Sequence, residues 1–447
     1  MATSTTSTAD AILLNEVEPE VAEAFNKEVL LFDLATKSKT PWMGRKKIFD
    51  VQMGTGGGVG ARSETGALPA PGAPTHAPGE IYAKRLYGTL ELSHDLIEQS
   101  RGSGAAFREA LADNLEATLL RLKKHANFCA FGDGRGILAT VASASNGATL
   151  TGSSGDSVQL TVDTTRYVAT GDKVAFWTSS SGTSTVLANG GQSNEDSATY
   201  DGEAVSVKSV DSDTLLTVER TRAAAGTATF ATNNVMRLYM SATTSGALVY
   251  QDPMGLRGMA DDGTIVTTFE GISRTTYPKW KGVCLASGSM SEGSTLAKNH
   301  FLKLAHRIHR NSGMDPDIFI MDPSLLREFL VITDNDVRYA PVNQKDPGYD
   351  GALHITIGGK QIPLFTDFDC PYGVLYGFPK SKLEMHELSP LQLDNSNGAV
   401  LKQGKPYGSG GTGDIYYAYF RAKFNWATRH PFAFGVVTGL SYAAENA

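Results

Sequence analysis

"GTGGGVGARSETGALPAPGAPTHAPGE" occupies positions 54–80 and holds eight glycines and four prolines in 27 residues. Val59 and Leu68 are its only sizeable apolar side chains. Such a segment has too little apolar surface to offset the entropy of ordering it, so it builds no core of its own. Yet period-two sequence flanks it on both sides. In "KIFDVQM" (47–53), Phe49, Val51 and Met53 alternate with Ile48, Asp50 and Gln52. In "IYAKRLYGTLEL" (81–92), Tyr82, Leu86, Leu90 and Leu92 alternate with Arg85, Tyr87, Thr89 and Glu91. The two runs read as the arms of one long antiparallel hairpin spanning 41–92. Ordinary hairpin loops take about two to five residues, and loops beyond about 15 are functional or disordered. This one is expected to find its contacts on another surface.

An arm precedes the hairpin. Residues 1–9 are rich in Ser and Thr, and from there Leu14, Val17, Val21, Phe25, Val29 and Phe32 recur three and four apart, one face of a helix. Over 1–40 there are seven Asp and Glu against three Lys, whereas 41–92 carries six basic residues against four acidic ones. Arm and hairpin therefore have opposite sign. The amphipathic stripe needs a surface to cover it, either its own domain or a neighbouring subunit.

After the hairpin, Phe107, Leu111, Leu115, Leu119, Leu122 and Ala126 mark a long helix over about 105–128, with Ser103 as N-cap and "FGDGRG" (131–136) as its stop. Residues 141–240 turn to Ser, Thr, Gly and Asp, with short alternating runs that read as an inserted all-β sandwich or barrel. A helix from Thr295 to Gly313 follows. "DIFIMDPSLLREFL" (317–330) is a strand and then a helix, with Asp322 as N-cap and Pro323 in the first turn. "IYYAYFRAKFNWA" (415–427) alternates for thirteen residues and predicts a strand of roughly 40 Å.

Composition is that of a globular protein, with 41% hydrophobic and 19% charged residues and a net charge of −7. That balance argues against tight, counterion-driven binding of nucleic acid but not against a surface facing DNA. Cys129, Cys284 and Cys370 are far apart and odd in number, so they read as three buried thiols in a reducing compartment. "MATSTTSTAD" lacks the basic start and apolar run of a signal peptide, and no apolar run is long enough to span a bilayer. His300, His306 and His309 lack the four-residue spacing and intervening Glu of a helical zinc motif. No G-x-S-x-G elbow or phosphate-binding glycine–lysine loop occurs. No catalytic, cofactor or metal site is therefore expected.

The order of these parts resembles the major capsid protein of tailed bacteriophages, the Hong Kong 97-like fold. "QDPMGLRGMADDGT" (251–264) with "RTTYPKWKG" (274–282) resembles the stretch leading into the axial domain of that family. "DPDIFIMDPSLLREFL" resembles that domain's strand–helix step, and "WATRHPFAFGVVTG" the closing strand of its peripheral domain. The resemblance implies an α+β chain in seven parts. These are an N-terminal arm (1–40), the extended hairpin or E-loop (41–92), a spine helix of the peripheral domain (93–140) and the inserted β module (141–240). A peripheral-domain return (241–290), the axial domain (291–380) and peripheral closing strands (381–447) complete it.

The implied function is a coat protein that assembles with itself, as hexamers and pentamers, into an icosahedral head around double-stranded DNA. The DNA would be contacted without sequence reading, with no membrane involved. Scaffolding, portal and decoration proteins are implied partners, the virion the final location and the host cytoplasm the place of synthesis. The scaffold is expected as a separate protein, because about 40 residues precede the hairpin. Contacts between subunits are expected at Val17, Val21 and Phe25 of the arm and at Lys46, Lys47, Arg62, Glu64, Lys84 and Arg85 of the hairpin. No motif matches Lys84 to the cross-linking lysine of the family's covalently sealed members, so that chemistry is not carried over. Three other readings stay open: an encapsulin-type shell enclosing protein cargo, a β-rich phage binding or tail component, and an enzyme.

Overall fold

The computed structural model describes residues 30–38, 42, 44–64, 66–94, 104–143, 149–150, 153–177, 205–220, 228–238, 251–334, 354–395, 401–403 and 415–441. The arm residues Val17, Val21 and Phe25 and the proposed cap Ser103 lie outside them.

Three large cores organise the described residues. The first is built on the thirteen-residue strand Ile415–Ala427, as its alternation predicts. Ala418, Phe420, Ala422, Phe424 and Trp426 are all buried on one face. Lys84–Ser93 pairs antiparallel along one edge of this strand, from Phe424↔Lys84 to Ile415↔Ser93, and Glu384–Leu393 along the other. The helix Gly104–Phe131, 28 residues and about 42 Å long, crosses this sheet. Leu115, Leu119, Leu122 and Ala126 of its stripe are buried. The side chains of Phe107 and Leu111 lie outside the described residues. Gly88 marks the crossing, because a Cβ there would stand 3.1 Å from Thr118 Cγ2. A side chain there would press on that methyl group, so glycine lets helix and sheet approach closely.

The predicted hairpin divides at Ala83. Lys46–Gly54 pairs with Thr75–Tyr82, and the chain then passes into the long sheet as Lys84–Ser93. The second arm is therefore shorter at its end and longer at its start than the alternation suggests. The buried face changes parity there: Ala77, Gly79 and Ile81 are buried in the ribbon arm and Leu86, Leu90 and Leu92 in the long sheet, while Tyr82, which the sequence reading grouped with those leucines, is exposed. Lys84 and Arg85 belong to the long sheet, not to the hairpin.

The second core is a six-stranded mixed sheet in the order Val283–Ala286, Gly435–Thr438, Leu375–Phe378, Ile318–Met321, Lys360–Thr366, His354–Ile357. Helices Lys298–Ser312 and Pro323–Asp334 accompany it. Asp322 caps the latter as expected, its Oδ2 accepting the Ser324 N–H at 2.9 Å, and Gly313 ends the former in the left-handed region at φ 68°. This sheet also takes Val283–Ala286 and Gly435–Thr438, which the sequence reading assigned to the other domain. A turn at Thr428–Phe434 carries the chain across. "GVVT" then sits between two strands with Gly435, Val436 and Val437 all buried, which suits an unalternating apolar run.

The third core is a closed six-stranded barrel from Ala139–Ser143 to Val235–Leu238. It has its own apolar interior, including Leu160, Val174, Val207 and Leu216. Its seam with the rest is mainly polar, with one aromatic contact where Phe128 of the long helix packs on Tyr167, ring centres 4.7 Å apart. Arg166 Nη1 donates to Asp322 Oδ1 at 2.6 Å and to the Cys370 carbonyl at 2.8 Å, and the guanidinium lies 3.8 Å from the Tyr372 ring centre. Tyr167 Oη donates to the Asp369 carbonyl at 2.9 Å. Excision of residues 139–238 with a short glycine linker is therefore expected to leave a folded chain, because water solvates Asp322 once the barrel is gone. Arg166→Met with the barrel in place strands that carboxylate in the seam and is expected to cost about 3–5 kcal/mol. Circular dichroism and denaturant unfolding check both, and a helix-free, insoluble excision product would contradict the modular account.

Candidate subunit interface

The ribbon Lys46–Tyr82 has a root and a tip of opposite character. At the root, Met53 and Ala77 join the main core, and Ile81 packs with Trp42 and Ala427. The Phe49 ring lies over Gly79 and 6.5 Å from the Trp280 ring. From Thr55 to His76 almost every described residue is exposed, and Val59 is 100% and Leu68 76% exposed. The tip is thin because its two arms are glycine against glycine. A Cβ on Gly56 would meet the Gly72 carbonyl at 2.6 Å, and one on Gly72 the Gly57 nitrogen at 2.5 Å. Side chains would force these backbones apart. The tip's own bonds are few, with Arg62 Nη1 donating to the Gly66 carbonyl at 2.9 Å and the Gly66 N–H to the Ser63 carbonyl at 3.0 Å.

The root rests on an irregular segment held by a buried ion pair. Arg274 is fully buried and donates to the carbonyls of Gly258 (3.0 Å), Met259 (2.9 Å), Val266 (3.2 Å) and Trp280 (3.3 Å). Burial pulls its pKa down to about 10, against the pull of Asp261. Asp261 Oδ2 lies 3.6 Å from Arg274 Nη1 and accepts the N–H groups of Gly263, Ile265 and Val266. Trp280 Nε1 donates to the Phe269 carbonyl at 3.1 Å, and the Glu80 N–H to the Glu270 carbonyl at 2.7 Å. The "GMADDGT…RTTYPKW" stretch is thus the socket of the ribbon.

The predicted contact residues are not one cluster. Lys46 pairs across the ribbon with Glu80 at 2.5 Å. Lys47 Nζ lies 3.2 Å from both Ser38 Oγ and His386 Nδ1. Arg62 and Glu64 stand exposed at the tip. Lys84, on the long sheet, is held low by burial and up by Asp252, whereas Arg85 is exposed. Sequence reasoning took the lysines as available charges, and their own chain engages them. It missed a second basic surface. A cleft of about 780 Å³ lies between Val51–Thr55 at the ribbon root, the segment 278–284 and the helix Lys298–Ser312. Lys279, Lys281, Arg307 and Arg310 line it, with Asp262 the one carboxylate on its wall among the described residues. These cations are scattered in sequence, so no run signalled them.

The structure also places the other singled-out groups. His300 is buried, its Nδ1 accepting the Ala297 N–H at 3.1 Å, and His309 Nδ1 lies 2.8 Å from Asp315. Cys129 and Cys370 are buried as expected, while Cys284 is only half-buried.

Among solved structures, the chain is similar to the capsid asymmetric unit of cyanophage A-1(L), at 12% identity and a TM-score of 0.48, over 92% of this chain and 93% of that one. It is also similar to the capsid of a native GTA particle, at 11% identity and a TM-score of 0.41 over 92% and 90%. A third is the capsid of Myoviridae phage XM1, at 9% identity and a TM-score of 0.39 over 92% and 91%. No protein-family model and no curated protein matches the sequence.

Glu270 tests the socket by titration. Burial pushes its carboxyl well above the usual range, opposed by the Thr428 N–H and by Arg274. Above the ordinary carboxyl pKa of about 4.3, the folded chain then holds a proton that the unfolded chain has released. Stability from this group falls as pH rises through that window. Glu270→Gln, which keeps the acceptor oxygen, is expected to match the parent near pH 4 and to exceed it in unfolding free energy near neutrality. A gap that shrinks with rising pH would contradict this.

Proposed function

We propose that the chain is the major capsid protein of a tailed bacteriophage, assembling into an icosahedral head around double-stranded DNA. The observation that carries this is the ribbon, rigidly socketed at its root and bare at its tip. A monomer gains nothing by ordering residues 55–74, whereas a neighbouring subunit can cover them. Rotational symmetry then gives every subunit the same contact, and contacts at several points per subunit multiply modest affinities. The long helix and the long strand supply a stiff slab to carry the ribbon. In this reading the ribbon is the E-loop, the long-sheet body the peripheral domain and the six-stranded unit the axial domain. Scaffolding, portal and decoration proteins are the further partners, and the product resides in the virion after synthesis in the host cytoplasm.

The acidic arm completes the scheme. Its carboxylates at Glu16, Glu20 and Glu23 suit the cleft of Lys279, Lys281, Arg307 and Arg310 on a neighbour better than Lys46, which Glu80 already holds. The stripe of Val17, Val21 and Phe25 would bury against the same neighbour.

Two variants test the proposal. Replacing residues 56–73 by a short turn is expected to leave the subunit folded, with unchanged circular dichroism, but unable to form shells visible by electron microscopy. Shells of normal size from this variant would contradict the role given to the tip. Arg307→Glu with Arg310→Glu is expected to slow assembly at low salt, followed by light scattering. The defect should narrow as salt shortens the reach of charge to roughly 8 Å. Parent-like assembly at low ionic strength would remove the cleft from the scheme.

A further inference from the structure

Three side chains of metal-binding type meet where the chain leaves for the barrel and where it returns. His125 and Cys129 lie one turn apart on the helix Gly104–Phe131, so they share a face. Asp252 comes from the segment on which the chain re-enters the body. His125 Nε2 lies 3.5 Å from Cys129 Sγ and 3.5 Å from Asp252 Oδ1, and the three ligand atoms all lie within 4.8 Å of one another. Cys129 is 2% and Asp252 5% exposed, and His125 is mostly covered.

Hydrogen bonding alone explains this arrangement poorly. The imidazole–carboxylate separation exceeds the usual N–H···O range of about 2.7–3.2 Å. Both contacts fall on the same ring nitrogen, which carries either one N–H or one lone pair. The two 3.5 Å separations from His125 instead match two edges of a tetrahedral site. With Zn–S near 2.3 Å and Zn–N near 2.0–2.1 Å, the N···S edge of a tetrahedron is about 3.5 Å, and the N···O edge is slightly shorter.

We propose that His125, Cys129 and Asp252 bind a divalent transition-metal ion, with zinc favoured by the thiolate–imidazole–carboxylate set, leaving a fourth position for water. The ion clips the two stems of the inserted barrel together. Binding breaks the Cys129 S–H bond, forms an S–metal bond and releases the proton to solvent, with no change in oxidation state. Lys84, which faces Asp252 electrostatically from the adjoining sheet, competes with the ion for that carboxylate. Sequence reading had set Cys129 aside as a core thiol, because Asp252 reaches it only through the fold.

The test uses the full-length chain, stripped of metal and titrated with Co²⁺ as a spectroscopic stand-in. The expected result is one Co²⁺ per chain with a sulfur-to-cobalt charge-transfer band that Zn²⁺ abolishes by displacement. Cys129→Ser is expected to lose the band, and Cys284→Ser and Cys370→Ser to keep it. Asp252→Asn and His125→Gln should weaken binding at least 10–100-fold, and Lys84→Met should tighten it. Zn²⁺ should also slow alkylation of Cys129 in the unmutated chain, mapped by mass spectrometry. That readout stands even where a substitution impairs folding. A folded parent that shows no stoichiometric thiolate–cobalt band overturns the proposal. So does a band that survives Cys129→Ser, or alkylation of Cys129 that Zn²⁺ leaves unchanged.

Discussion

A guanidinium and a carboxylate, both withdrawn from water, hold the segment on which the rest of the molecule is assembled. Arg274 serves four carbonyls that no helix or sheet would satisfy, and Asp261 serves three N–H groups of the same segment. Each group alone would be costly to bury. Together they replace the hydration of an irregular backbone, and removing either partner would strand the other at about 3–5 kcal/mol. Their yield is positional. The segment presents Trp280 to Phe49 and the Glu270 carbonyl to the Glu80 N–H, and so fixes the direction in which the ribbon leaves the body.

That rigidity at the root gives the bare tip its meaning. A ribbon socketed at one end, with only Val59 and Leu68 as sizeable apolar side chains at the other and both exposed, gains little by folding back. In the proposed reading its free energy of ordering comes from a surface outside the chain. The charge pattern follows the same logic at longer range. The lysines of the ribbon root are used within the chain, and further positive charge lies in the cleft beside it, where Lys279 and Lys281 of one segment meet Arg307 and Arg310 of one helix.

Much of this was legible in the sequence wherever a physical signal is local. Thirteen alternating residues gave the strand Ile415–Ala427 to the residue, because one face is buried from Ala418 to Trp426. Asp322–Pro323 marked a helix start, Gly313 a helix end, and the turn-rich stretch after 140 a separate β unit that closes as a barrel. What stayed hidden depends on pairing partners. The alternation of Leu86, Leu90 and Leu92 was carried back to Tyr82, although the buried face changes parity at Ala83, so Lys84 and Arg85 were assigned to the wrong element. "GVVT" has no alternation to say which sheet would bury it. The availability of Lys46 and Lys47 depends on Glu80, Ser38 and His386, which only the fold brings to them.

The central claim is that the bare ribbon tip exists to be covered by another copy of the chain. Hydrogen exchange at residues 55–74 measures this most directly, compared between the free subunit and the assembled particle. The account predicts backbone amides that exchange at nearly unprotected rates in the free subunit and become strongly protected in the particle, with the ribbon root protected in both. Equal exchange of the tip in the two states would show that no neighbour covers it, and would contradict the account.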